Sequence, residues 1–221
     1  MPASIAAIVA AYNEEPTIGP IIETLAKSQL FRDVVVISDG STDRTAERAR
    51  EAGASLVHQL PWKHGKGAAM LHGLAHTDAD IIFFLDADLK GLTREHLERI
   101  LKPVLEGKMA MCVGIRDRGT LGTKLAKHLP LIGGERALTR RVVEDLPDRY
   151  VQGFMVESAM NYYCRMHKLP YGTVELPGLH IRRKMQKVGF LKGAKEYIKM
   201  GFQIAKAILL VRWGRLKGEI V

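Results

Sequence analysis

Apolar residues along the chain gather into short runs closed by polar, turn-forming clusters, and the stretches between them take on helical spacing. "SIAAIVA" at 4–10 is a short continuous run of the kind expected for a strand covered on both faces, and "AYNEEPTIG" interrupts it. Pro16 suits the first turn of a helix, where its missing N–H costs nothing, and that helix should run to about Ser28. "DVVVISDGSTD" repeats the scheme: β-branched Val34 to Ile37, a loop, then a helical "RTAERAREAGA" stopped by Gly53. Leu56 and Val57 suggest a third short strand, Lys66 to Ala75 a third helix, and "DIIFFLD" a fourth strand. Thr93 can cap a further helix carrying Leu97, Ile100, Leu101 and Val104 on one side, and "MAMCVGI" reads as a fifth strand.

Strands and helices alternating at this interval predict an α/β fold with a mostly parallel sheet and helices on both faces. Ligands in such sheets bind beyond the carboxyl ends of the strands, so the polar loops after Ala10, Ile37 and Leu85 should converge on one edge. From about Thr120 the pattern loosens, through "LPLIGGERALTRR", a helix around Gly153 to His167, and "GTVELPGLHIRRK". No internal repeat, low-complexity tract or flexible linker breaks the chain.

At 221 residues with 47% apolar composition, the chain can bury a substantial core, and its formal charge of +9 suits an anionic partner. Sign alone does not choose between nucleotide, phosphorylated substrate, membrane surface and nucleic acid. Cys112 and Cys164 lie far apart and outside metal-ligand spacing, which predicts reduced core thiols. Without a basic leader, a cleavage site or a run of about eighteen apolar residues, the expected location is cytoplasmic, with the inner membrane face as a surface it could touch.

Candidate chemistry sits in the loops. Asp86 and Asp88 end the fourth strand, and if the chain stays extended they point the same way. A hard cation such as Mg²⁺ or Mn²⁺ is held by one or two carboxylates plus substrate phosphates; the plainer alternative is a pair of solvated loop aspartates. Lys66 lies between Gly65 and Gly67 at a helix start, where little bulk would keep a phosphate from the backbone. "HGKGAAM" fits neither a Walker A loop nor a dinucleotide fingerprint.

Taken in order, "AAYNEE", "SDGSTD", "GKGAAM" and "DAD" resemble the nucleotide-binding and metal-binding motifs of the family 2 glycosyltransferases of the GT-A fold, over roughly residues 4–190. The resemblance implies a GT-A domain at 1–189, with a nucleotide-binding half at 1–118 and an acceptor-binding half at 119–189. It implies that Ala11, Tyr12 and Glu14 border the nucleoside, Glu14 accepting from ribose hydroxyls, and that Asp39 reads the base edge. A core role is the alternative for Tyr12, and for Asp43 a helix N-terminal acid is the preferred reading. Asp86 and Asp88 would hold Mg²⁺ or Mn²⁺, with Asp88 essential to transfer and Lys66 on the diphosphate. "VQGFMVESAM" resembles the acceptor-side helix, making Glu157 the candidate base or acceptor-orienting carboxylate. His180, in "LHIRRKMQK", matches a third metal ligand of the glucosyl-3-phosphoglycerate synthase branch. Arg182, Arg183 and Lys187 could bind the diphosphate or an anionic acceptor. Arg116 lies where polyprenyl-phosphate transferases face phosphate with an arginine. "GGERAL", with Gly134, resembles an acceptor loop of the phosphoglycerate branch, Glu135 reading as paired with Arg136.

Residues 190–221 project as a basic amphipathic C-terminal helix, suited to an anionic membrane interface, to its own domain or to a second subunit of a homodimer. The resulting expectation is transfer of a sugar from a UDP- or GDP-sugar donor to polyprenyl phosphate, with inversion; the alternative acceptor is a soluble phosphorylated acid such as 3-phosphoglycerate. Two other classes remain in view. A nucleotidyltransferase would carry a Gly-rich N-terminal loop where "AAYNEE" stands, and a nucleic-acid-binding module is disfavoured by 6% aromatic content, so no nucleic acid is expected.

Overall fold

A computed structural model describes residues 3–116, 133–146 and 155–181. The elements are β1 (Ile5–Ala11), α1 (Glu15–Ser28), β2 (Asp33–Ser38), α2 (Thr45–Glu51), β3 (Leu56–Gln59), α3 (Lys66–Leu74), β4 (Ile81–Asp86), β5 (Leu89–Lys90), α4 (Arg94–Leu105) and β6 (Met111–Arg116). After them come β7 (Arg136–Thr139), α5 (Arg141–Glu144), α6 (Met155–Met166), β8 (Tyr171–Leu176) and β9 (His180–Ile181). The basic tail, with its expected helix, lies outside the described residues.

Seven strands form one sheet in the order β3-β2-β1-β4-β7-β6-β8, and β5 pairs with β9 in a two-stranded ribbon. The β1–β2, β1–β4, β2–β3 and β6–β8 pairs are parallel, whereas β7 runs antiparallel to both β4 and β6. The expected mostly parallel sheet is present. A strand at β7 was not foreseen: "RALT" is short and opens on a cation that reads as loop.

Alternation along the strands sorts the core onto two faces. Ala7, Val9 and Phe83 pack with Ile18, Ile21, Ile22 and Leu25 of α1 and with Leu97, Ile100, Leu101 and Val104 of α4. Ala6, Ile8, Ile82 and Phe84 pack on the other side against Ala69, Met70 and Leu74 of α3 and Val156, Met160 and Cys164 of α6. Both cysteines are buried free thiols, and burial pushes each up to about 11. The cap foreseen at Thr93 is a box with histidine in place of the usual Glu or Gln. His96 N–H donates to Thr93 Oγ1, Thr93 N–H donates to His96 Nδ1, and the remaining ring nitrogen, His96 Nε2, donates to the Pro177 carbonyl.

Candidate active site

Strand order changes direction at β1, with β2 on one side and β4 on the other, and this switch point opens a crevice at the carboxyl ends. The loops after β1, β2 and β4 meet there. Asp39 N–H donates to the Ala11 carbonyl at 2.8 Å, Asn13 N–H to Ser41 Oγ at 3.1 Å, and Thr42 N–H to Asn13 Oδ1 at 2.9 Å. Thr17 Oγ1 donates at 2.7 Å to the carbonyl of Ala87, tying the start of α1 to the turn between the two aspartates. Convergence of the three loops therefore holds.

On the nucleoside side, Tyr12 is 39% exposed with Lys63 Nζ 3.6 Å above its ring centroid, so a core role for this aromatic is ruled out. Glu14 is buried at the head of α1, its Oε2 3.2 Å from the Thr17 hydroxyl. Asp39 is also buried and accepts from the backbone amides of His64 (2.7 Å) and Gly65 (2.8 Å), which fixes the loop leading into α3. Each oxygen keeps a lone pair for a further donor. Gly40, at φ +69°, passes so close to the Trp62–Lys63 peptide that a Cβ would fall 2.5 Å from the Lys63 nitrogen. Asp43 takes the structural role preferred for it, accepting from the backbone amides of Glu15 and Thr45 at the heads of α1 and α2.

β4 ends at Asp86, and Ala87 and Asp88 form a turn rather than continuing the strand. Strand alternation is therefore not what sets the relation between the two carboxylates; the turn, pinned by Thr17, does. Both remain half-buried at the crevice. Gly134 lies against Asp86 so closely that a Cβ there would meet Asp86 Oδ1 at 2.1 Å, which is the physical demand for glycine in "GGERAL".

Lys66 Nζ lies 2.6 Å from Asp86 Oδ1 and 2.6 Å from Glu157 Oε1, bridging β4 and α6. Burial by itself would lower Lys66; Asp86 and Glu157 more than reverse this and hold it above the usual lysine range. Burial would likewise raise Asp86, but Lys66 first, then Arg116 and Arg136, hold it below the usual carboxylate range. Arg116 NH1 lies 3.3 Å from Glu135 Oε1, an ion contact without a well-directed hydrogen bond. The expected pairing of Glu135 with Arg136 is thus corrected: the Arg136 guanidinium is taken up by the Gly133 and Glu157 carbonyls, and Glu135 turns to Arg116. Burial foremost and Asp86 next push the Glu135 carboxyl up to about 7 against the pull of Arg116 and Lys66.

Arg136, fully buried, is the site residue that the sequence reading missed. Its Nε and NH2 donate to the Gly133 carbonyl at 3.0 and 2.7 Å, and NH1 donates to the Glu157 carbonyl at 3.3 Å. It anchors the Gly133–Gly134 segment to the head of α6, bringing Glu157 beside Lys66. A cation between a glycine pair and a short apolar run was the available signal.

His180 is exposed in β9, and β9 pairs with β5 so that His180 lies opposite Lys90, two residues beyond Asp88. The histidine thus reaches the neighbourhood of the acid turn, but its donor atom and those of Asp86 and Asp88 do not form a ready three-ligand cluster. The hard carboxylate donors of Asp86 and Asp88 fit Mg²⁺ or Mn²⁺, and Lys66 now provides the positive charge beside Asp86. Arg182, Arg183 and Lys187 lie outside the described residues.

A mostly parallel sheet whose switch-point crevice carries an acid turn, a bridging lysine and converging loops defines an α/β protein of GT-A type. The family model for glycosyl transferase family 2 matches residues 6–165, and the chain belongs to that family. Among curated proteins, it is 34% identical over 188 residues to the glucosyl-3-phosphoglycerate synthase of Mycolicibacterium smegmatis, covering 70% of this chain and 61% of that protein. The chain therefore spans less than two thirds of that relative's length. It is 36% identical over 103 residues to a 4,4'-diaponeurosporenoate glycosyltransferase of Staphylococcus aureus, covering 44% of this chain and 27% of that one. Among solved structures, glucosyl-3-phosphoglycerate synthase from Mycobacterium tuberculosis in complex with phosphoglyceric acid superposes with a TM-score of 0.71 at 26% identity, over 85% of this chain and 75% of that one. The same enzyme with Mn²⁺, UDP and glucosyl-3-phosphoglycerate gives a TM-score of 0.70 at the same identity and coverage. No described helix is long and apolar enough to cross a membrane.

Proposed function

We propose that this chain transfers a sugar from a nucleoside-diphosphate donor to a phosphate-bearing acceptor, with Mg²⁺ or Mn²⁺ bound by Asp86 and Asp88. The observation that carries the reading is the meeting of the three loops at the switch point, with Lys66 between Asp86 and Glu157. Tyr12, Glu14 and Asp39 would border the nucleoside beside Ala11. When bound, the metal supplies Lewis-acid neutralisation of the departing diphosphate. Lys66 is the mobile charge: an arriving diphosphate offers it anionic oxygens in exchange for those of Asp86, which frees that carboxylate for the metal. Glu157, with 2% of its side chain exposed, acts by holding Lys66 and by orienting the acceptor, and an acceptor already ionised needs no strong base.

For the acceptor we favour a small phosphorylated acid of the 3-phosphoglycerate kind, met by Arg116 and the Gly133–Gly134 segment. The likeness to the mycobacterial synthases extends over 85% of the chain. Polyprenyl phosphate is the second reading, supported by the position of Arg116 and by the basic tail, and Arg182, Arg183 and Lys187 would serve either acceptor. By the same likeness the donor is a UDP-sugar, one of the two structures named having been solved with UDP.

The test is a thermal-shift panel of nucleoside diphosphates and their sugars with and without Mn²⁺, followed by transfer assays with 3-phosphoglycerate and with polyprenyl phosphate in vesicles. Metal-dependent stabilisation by one donor class is expected. Asp88→Ala should lower transfer at least about 100-fold with an unchanged melting temperature. Unchanged transfer in that variant would sink the proposal.

A further inference from the structure

Away from the crevice, three histidines converge where the sheet's edge strand meets the far end of α3. His58 belongs to β3, His72 to the last turn of α3, and His76 follows that helix by two residues. Nδ1 of His58 lies 2.9 Å from Nε2 of His72 and 3.3 Å from Nε2 of His76, and those two Nε2 atoms are 3.3 Å apart. The rings meet edge-on, with centroids 4.5–5.4 Å apart. His58 and His72 are half-buried and His76 is exposed, so an ion could reach the trio from solvent.

Hydrogen bonding does not account for this triangle. A facing imidazole nitrogen either carries a proton or presents a lone pair, and a hydrogen bond needs one of each. Two kinds of atom on three corners always leave one edge between like partners. Every proton arrangement therefore keeps two lone pairs or two N–H groups pressed together at 2.9–3.3 Å. Burial first, and then His58 and His76, push His72 below the ordinary histidine range, which favours the neutral, lone-pair form.

A cation that accepts all three lone pairs removes the conflict. Imidazole nitrogens at ~2.05 Å from a tetrahedral Zn²⁺ stand ~3.3 Å apart, which is the length of two of the three edges. For this triangle, a point ~2.05 Å from every corner lies about 0.9 Å off the plane, the pyramidal position that leaves a fourth vertex open. His72 and His76 stand four residues apart, and the turn that closes α3 brings His76 back over the last helical turn.

We propose that His58, His72 and His76 form a binding site for one divalent transition-metal ion of the Zn²⁺, Co²⁺ or Ni²⁺ type. The site differs in chemistry from the carboxylate pair Asp86 and Asp88, which suits harder ions. It ties the edge strand β3 to α3, the helix that begins at Lys66.

The full chain, stripped with chelator, is titrated with Zn²⁺ against a chromophoric competitor and with Co²⁺ by visible absorption. One equivalent should bind with the intense spectrum of four-coordinate Co²⁺ and should raise the melting temperature. His58→Gln, His72→Gln and His76→Gln should each weaken binding at least tenfold, and Asp88→Asn should leave it unchanged. The proposal is overturned if the unaltered chain gives only the pale spectrum of six-coordinate Co²⁺, if the triple glutamine variant binds as the parent does, or if Asp88→Asn abolishes binding. Because the parent spectrum alone separates the first of these outcomes, misfolding of a variant does not rescue the idea.

Discussion

Replacing Lys66 with methionine keeps most of the side chain's volume and removes one charge from between a half-buried and a buried acid. Each Lys66 contact is 2.6 Å long, and Glu157 is 2% and Asp86 22% exposed. Breaking a buried ion pair from one side costs about 3–5 kcal/mol, and because a fifth of Lys66 reaches solvent the lower end applies. At about 2–4 °C per kcal/mol for a chain of this size, Lys66→Met should melt about 6–12 °C below the parent at pH 8. The pH dependence has a definite sign. In the parent, Asp86 is held below the usual carboxylate range, so its stabilisation is present above its unfolded value and is lost as pH falls through the folded one. Without Lys66 the chief force opposing burial is gone, the acid is raised instead, and stability falls as pH rises. The gap between parent and variant should therefore narrow from pH 8 to pH 5, as read by scanning calorimetry or circular dichroism. Adding Asp86→Asn should restore part of the loss at pH 8. Equal melting temperatures at both pH values would refute the account of Lys66 as the bridge between β4 and α6.

Glu135, raised to about 7, stabilises the fold below its unfolded value and loses that contribution as pH rises through 7. The melting temperature of Glu135→Gln minus that of the parent should thus grow between pH 5.5 and pH 8.5, and a flat difference would contradict the assignment. Gly134→Ala drives a methyl to 2.1 Å from Asp86 Oδ1, so it should cost about 1–3 kcal/mol and lower sugar transfer at least about tenfold, measured as nucleoside diphosphate release. Thr93→Ala removes the cap of α4 and should lower stability by about 1 kcal/mol in urea unfolding with transfer unchanged; loss of transfer would mean that α4 has a role at the crevice.

Much of the first half was legible because its signals are local. Apolar runs bounded by Gly, Asp and Asn mark β1, β2 and β4, and both the Thr93 cap and the α4 stripe fall where periodicity puts them. The convergence of the three loops followed from the switch-point rule for parallel sheets, which needs only element order. The second half depends on contacts distant in sequence. Arg136 reads as the pairing partner of Glu135, yet it is fully buried, with its guanidinium spent on the Gly133 and Glu157 carbonyls. The partner of Glu135 is Arg116, about twenty residues earlier, and no adjacency rule finds it. β8 is mostly half-buried at the sheet's edge and lacks the unbroken hydrophobicity that announces a central strand. The histidine triangle joins a strand to a helix end across residues distant in sequence, and the sequence reading did not find it.

β7 is an interior strand of the sheet although it lies late in the sequence, and it holds β4 on one side and β6 on the other. A ribosome that has released only the first 118 residues has therefore produced two strands with bare rims and nothing to knit them together. That nascent species is a poor candidate for independent expression, and it invites chaperone capture or strand-to-strand aggregation until the intervening strand arrives. Cutting the protein between β6 and β7 would divide a single sheet.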